Sequence, residues 1–125
     1  MVLTDREVAD PDRPIEGTRW VVDGLIQGDA VSSTPMGVTA SFAIRGGTIQ
    51  IDTGCNTGSG PVTVTDTTLT IGALMLTKKA CGPDAAAMES AVTSVLQGEV
   101  TYTIEADRLT VMHGAVGLMA RATAT

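Results

Sequence analysis

Aromatic side chains are almost missing from this chain: Trp20, Phe42 and Tyr102 are the only three among 125 residues. A core built without them must be filled by Val, Leu, Ile, Met and Ala, and each aromatic is expected to anchor it. The same scarcity removes the stacking platforms a sugar-cleaving site would use. The acidic residues therefore read as solvated carboxylates of turns and helix surface rather than as a glycosidase pair. Basic residues are also few, eight Lys and Arg against fourteen Asp and Glu, for a net charge of −6. Binding to nucleic acid or to an anionic membrane surface needs a concentrated positive face. The only adjacent basic pair, Lys78-Lys79, reads as a solvated strand end.

A single histidine, His113, and two cysteines, Cys55 and Cys81, complete the shortages. No C-x-x-C or H-x-x-x-H spacing occurs, so no metal site is expected, nor any other cofactor. Cysteine, asparagine and histidine are all present as a nucleophilic constellation would need, but nothing local brings them within hydrogen-bond reach. His113 falls in "TVMHGAVG" and is expected as an exposed turn residue. Apolar runs are too short to span a bilayer, and the start, "MVLTDREVADPDRP", is charged where a secretory leader would be apolar. A length of 125 residues is ample for one domain with a core.

Residues 5 to 16, with two prolines and no apolar period, read as a linker. Thereafter short alternating segments separated by turn residues predict antiparallel sheet. "RWVVDGLI" opens it; "VTASFAI" and "TIQI" flank Gly46-Gly47 as a hairpin. "PVTVTDTTLTI" places Val62, Val64, Leu69 and Ile71 on one face and threonines on the other. "EVTYTIEADRLTV" repeats the pattern, and "GLMARAT" closes it. One stretch has helical spacing: in "CGPDAAAMESAVTSVL", Ala85, Met88, Val92, Val95 and Leu96 recur at three- and four-residue steps after a Gly-Pro-Asp start, and Gly98 supplies a stop. The predicted class is mainly β with one α-helix (α+β), about eight strands in a curved antiparallel sheet, with the helix over one opening or face.

The glycine-rich "IDTGCNTGSGPVTV", Ile51 to Val64, resembles a catalytic or phosphate loop at first sight. It leads into a strand, not a helix, and has no lysine at Walker spacing, which excludes a P-loop. A disulfide between Cys55 and Cys81 would be worth about 3 to 4 kcal/mol in the chain-entropy model. The spacing leaves both a disulfide and free thiols open.

"GTRW" at 17 to 20, "GCNTGSGPVTV" at 54 to 64, "LTKKACGPD" at 76 to 84, a helix, then "RLTV" and "GLMARA", in that order, resemble the META domain, over about Gly17 to Ala122. The motif residues are Trp20, Gly54, Cys55, Asn56, Gly58, Thr77 and Cys81. One departure is Lys79, where many members carry methionine. The family includes a heat-shock-inducible outer-membrane lipoprotein of bacteria and related parasite proteins. The resemblance implies a partial barrel with one packed helix, a Cys55–Cys81 disulfide, and a lipoprotein or secreted protein of the cell envelope or exterior. It implies a stress-response or secretion-linked role and offers no catalytic residues to carry over. On this reading, residues 1–16 are the end of a preceding repeat plus a linker, and 17–125 are the META domain, the second of a tandem. The expected function is a non-enzymatic, monomeric module binding a protein, peptide or lipid-like ligand. Met75, Met88, Met112 and Met119 either form an adaptable ligand cleft or fill a core short of aromatics. The alternative is an enzyme or enzyme inhibitor using Cys55, Asn56 or His113.

Overall fold

Strand alternation becomes a closed sheet because the apolar parity of each strand faces a common interior. In the computed structural model, which describes residues 14–34 and 38–123, the elements are β1 (Arg19–Gln27), β2 (Ala30–Ser33), β3 (Ser41–Arg45), β4 (Thr48–Asp52), β5 (Thr57–Val64), β6 (Thr68–Ile71), β7 (Met75–Leu76), α1 (Pro83–Val95), β8 (Gly98–Glu105), β9 (Arg108–His113) and β10 (Val116–Ala122). The order β1-β3-β4-β5-β6-β8-β9-β10 returns to β1, giving an antiparallel barrel of eight strands. Closure pairs both edges of these strands and leaves little open edge for aggregation.

The two remaining strands are short extensions. After a bulge between Val22 and Gly24, β1 leaves β3 and pairs with β2, while its other edge stays on β10. The first half of β5 pairs with β7 and its second half with β6. The bulge leaves Asp23 out of the ladder, and its carboxylate lies 3.8 Å from both Arg108 and Arg121. Pairs this exposed contribute little stability.

Trp20, Phe42, Ile44, Ile49, Leu69, Leu109 and Leu118 fill the interior, each at most 2% exposed. Side chains of this size each add roughly 1.5–3 kcal/mol on burial. Trp20 meets the cost of burying its indole N–H by donating to Ile15 O at 3.4 Å. Ile15 itself is in the core, so packing extends two residues ahead of Gly17; residues 1–13 of the expected linker lie outside the described residues.

The helix forms where the three- and four-residue spacing placed it. Proline occupies its first turn, Asp84 lies near the positive end of its dipole, and Gly98, at φ +63°, lets the chain turn into β8. Met88, Val92, Val95 and Leu96 insert into the core. The helix packs on β9 and β10, and its Glu89 reaches the turn between β4 and β5. It therefore lies across one mouth of the barrel. No helix among the described residues is long and apolar enough to cross a membrane.

Candidate functional site

Ile51 and Asp52 end β4, and Thr57 begins β5; the residues between them form a tight turn whose side chains point inward. Thr53 is fully buried and Asn56 is 3% exposed. The Thr53 hydroxyl accepts from the backbone N–H groups of Cys55 (3.2 Å) and Asn56 (2.9 Å) and donates to Glu89 Oε1 (2.8 Å). Thr53 N–H donates to Asn56 O at 2.8 Å, closing the turn. Gly54 adopts φ +90°, a left-handed conformation natural to glycine, and its N–H donates to Asp52 Oδ1 at 2.9 Å.

Buried Asn56 links this turn to two other elements, the segment after β7 and the helix. Its Oδ1 accepts from the Thr77 hydroxyl (2.9 Å) and from Lys79 N–H (2.6 Å). Its Nδ2 donates to Glu89 Oε1 (2.9 Å) and to Lys79 O (3.4 Å). Both lone pairs of the oxygen and both hydrogens of the nitrogen are thus used. The Lys79 N–H fixes which end of the amide is oxygen. Cys55 and Cys81 form a disulfide with a Cα–Cα distance of 5.9 Å. The turn, the segment after β7 and the start of α1 are held together by this bond and by the Asn56 network.

Two expected site residues, Thr77 and Gly58, fit this knot as fastenings, and Lys79, the departure from the family pattern, joins them. Thr77 bridges Asn56 Oδ1 and Thr57 N–H. Gly58 leaves room for β7: a Cβ there would collide with the Met75 carbonyl oxygen and with Leu76. Lys79 contributes its backbone, while its side chain is exposed. Two members of the network, Thr53 and Glu89, escaped sequence reasoning. Glu89 had a legible signal, since the series Ala85, Glu89, Val92, Leu96 puts a carboxylate on the apolar stripe of the helix. Thr53 shares the inward parity of Ile51 and Cys55.

The four methionines do not share one face. Met88 is fully buried in the core, and Met75 is 80% exposed on β7. Met112 and Met119 lie half-buried on the outward parity of β9 and β10, where they cover Gly117 and Gly24. His113 differs from expectation. It ends β9, paired with Val116, and is half-buried, with Nδ1 enclosed and without a hydrogen-bond partner; Gly114 and Ala115 make the turn beyond it. The strands β6 and β8 separate β9 from β5 around the barrel, and so His113 from the Cys55 turn.

A groove of about 580 Å³ lies on the outer wall of the barrel, over β3 and β4 and their neighbours. Register explains its shape. Arg19, Ala43, Gln50 and Ser59 form one cross-strand row, and Ser41, Asp52 and Thr57 form the next. Small side chains, Ala43 and Ser41, make the floor; Arg19, Arg45, Gln50 and Asp52 stand around it. A shallower recess of about 460 Å³ lies beside the knot and is lined by Asn56, Thr77, Lys79 and Glu89 among others.

Fold and site together define a small closed antiparallel barrel, capped by one helix and fastened by a disulfide at the glycine-rich turn. The sequence matches the META domain over residues 13–125, and the chain belongs to that family. The fold is similar to an NMR structure of a protein from Burkholderia xenovorans, with a TM-score of 0.73 and 19% identity, over 89% of this chain and 85% of that one. A second NMR structure matches with a TM-score of 0.67 and 17% identity, over 97% and 95% of the two chains. At such identities these likenesses concern the fold alone. No functionally curated protein matches the sequence.

Proposed function

We propose that this META domain is a non-enzymatic binding module of the cell envelope or exterior. The observation that carries the reading is the fate of the Cys55–Asn56 loop, the one stretch whose composition resembles a catalytic site. The Cys55 sulfur is bonded to Cys81, so it offers no thiolate. Every side-chain hydrogen-bonding position of Asn56 is engaged inside the fold, which leaves none for a substrate. A buried polar network satisfied this completely rigidifies a structure.

The disulfide supports an oxidising location, where such bonds persist. Stress-linked or secretion-linked duty is the role that fits an envelope META domain. Cell fractionation combined with thiol alkylation under denaturing, non-reducing conditions tests the proposal. Recovery in the envelope or extracellular fraction with both cysteines blocked is expected. Recovery in the cytosol with two alkylated thiols would overturn it.

A further inference from the structure

We infer that the outer groove over β3 and β4 is a binding site for a small polar ligand bearing a carboxylate, gripped by Arg19 and Arg45. This deepens the binding-module reading and rests on it. Arg19 pairs with Ala43, and Arg45 lies two residues along β3 on the same outward parity. The two arginines are therefore diagonal cross-strand neighbours lining the same groove, with the Arg19 guanidinium held towards Ser41 and Arg45 standing on the other side of Ala43. Ala43 between them and Ser41 beside them leave the space that larger residues would close.

The arginines elsewhere on the described surface are neutralised: Arg108 and Arg121 flank the Asp23 carboxylate. Arg19 and Arg45 have no carboxylate partner among the described residues. The Arg19 guanidinium donates from Nε (3.4 Å) and Nη2 (3.2 Å) to the hydroxyl of the buried Ser41. That contact steadies the guanidinium over the floor, and its other N–H groups donate to no described residue. Arg45 is exposed and donates to no described residue. Two arginines without a carboxylate partner among the described residues, on a chain of net charge −6, make a local positive site against an acidic background, and guanidinium geometry matches carboxylate oxygens in a bidentate manner.

The rest of the lining narrows the class. Asp52 puts one negative charge in the groove, and its Oδ1 is already accepting from Gly54 N–H. The local charge is thus one positive unit, suited to a single carboxylate rather than a phosphate dianion. Gln50 and the free oxygen of Asp52 are placed to meet amide, hydroxyl or amine groups on the same ligand. A volume of about 580 Å³ lies within the usual range for small-molecule sites.

The test is NMR titration of the intact chain with N-acetyl-alanyl-alanine, its C-terminal amide, and inorganic phosphate. The free acid should give saturable shifts confined to β3, β4 and the Arg19 and Arg45 side chains. Two charge-assisted contacts correspond to a Kd of about 1 mM. The amide should bind at least about tenfold more weakly, as should Arg45→Gln. Arg19→Gln/Arg45→Gln should abolish the shifts without altering the spectrum of the core. Ala43→Leu, which fills the floor and keeps both charges, should also abolish them. Shifts from the amide equal to those from the acid, retention of binding in Ala43→Leu, tighter binding of phosphate, or no saturable shift at all would each overturn the assignment. None of these outcomes bears on the oxidised envelope location tested by fractionation. Appearance of free alanine signals in the same spectra would instead overturn the non-enzymatic reading.

Discussion

Asn56 and Glu89 meet at 2.9 Å, Nδ2–H donating to Oε1, and this contact ties the turn between β4 and β5 to the helix across the barrel mouth. The Thr53 hydroxyl shares the same carboxylate oxygen at 2.8 Å. Asn56→Asp keeps the shape and the acceptor for Lys79 N–H but sets a second carboxylate against Glu89. A loss of about 3 kcal/mol at pH 7 is expected from the forfeited donors and the like-charge contact. The new carboxyl would take up its proton more readily in the folded chain than in the unfolded one. Its folded pKa is raised, so the variant loses stability as pH rises and regains part of it on acidification to about pH 4. Urea unfolding at the two pH values checks this, and an equal loss at both would refute the charge argument.

The disulfide acts on the same region by a different route. It joins residues 26 positions apart, a loop for which the chain-entropy relation gives about 3 to 4 kcal/mol. Cys55→Ser/Cys81→Ser should lower the unfolding free energy by that order. The barrel should remain intact by far-UV circular dichroism, since the core does not depend on the sulfurs. If the double variant proves as stable as the parent, the hydrogen-bonded knot suffices alone.

Much of this architecture was legible because one face of nearly every strand is apolar and period two is hard to mistake. The Gly46-Gly47 hairpin, the parity of Val62, Leu69 and Ile71, and the span of the helix follow from local pattern. Closure of the sheet did not, because the pairing of β1 with β10 joins residues about a hundred positions apart and depends on twist and bulge. The knot was half legible. Cysteine and asparagine stand out by composition, while Thr53 is marked only by the parity it shares with Ile51 and is buried by the turn itself. The groove was invisible, since cross-strand rows exist only once register is fixed. The methionines, left open between cleft and core, divide for a complementary reason: composition reports how many there are, and only register separates Met88 in the core from Met75 on the surface.

Gly58 tests the close approach of β7 to β5. A methyl group at this position would occupy the space of the Met75 carbonyl, so Gly58→Ala must push β7 off its partner strand. Overpacking of this kind costs about 1–3 kcal/mol. The damage should spread to the knot, because Thr77 N–H donates to Thr57 O at 2.9 Å and its hydroxyl holds Asn56. Hydrogen exchange at Thr77 and Lys79 should accelerate far more than at β9. Unchanged protection at both would mean that β7 contributes nothing to holding the turn.

Tyr102 offers a test at the opposite end of the pH scale. Its hydroxyl donates to Thr65 O at 2.5 Å, and the phenol is held above its ordinary value by burial first, then by the negative charges of Asp66 and Glu16. In the unfolded chain the phenol ionises near pH 10; in the folded chain it ionises higher. Between these values the unfolded state carries fewer protons than the folded state, so stability falls as pH rises. Below about pH 10 this contribution is fully present. Tyr102→Phe should cost about 1 kcal/mol at pH 7 through the lost hydrogen bond. It should also decline less steeply than the parent from pH 10 upward, so that the difference between the two proteins narrows there. Subtracting the two pH profiles removes the lysines, which titrate in the same region, and isolates the tyrosine. Parallel profiles above pH 10 would show that the phenol does not couple folding to alkali.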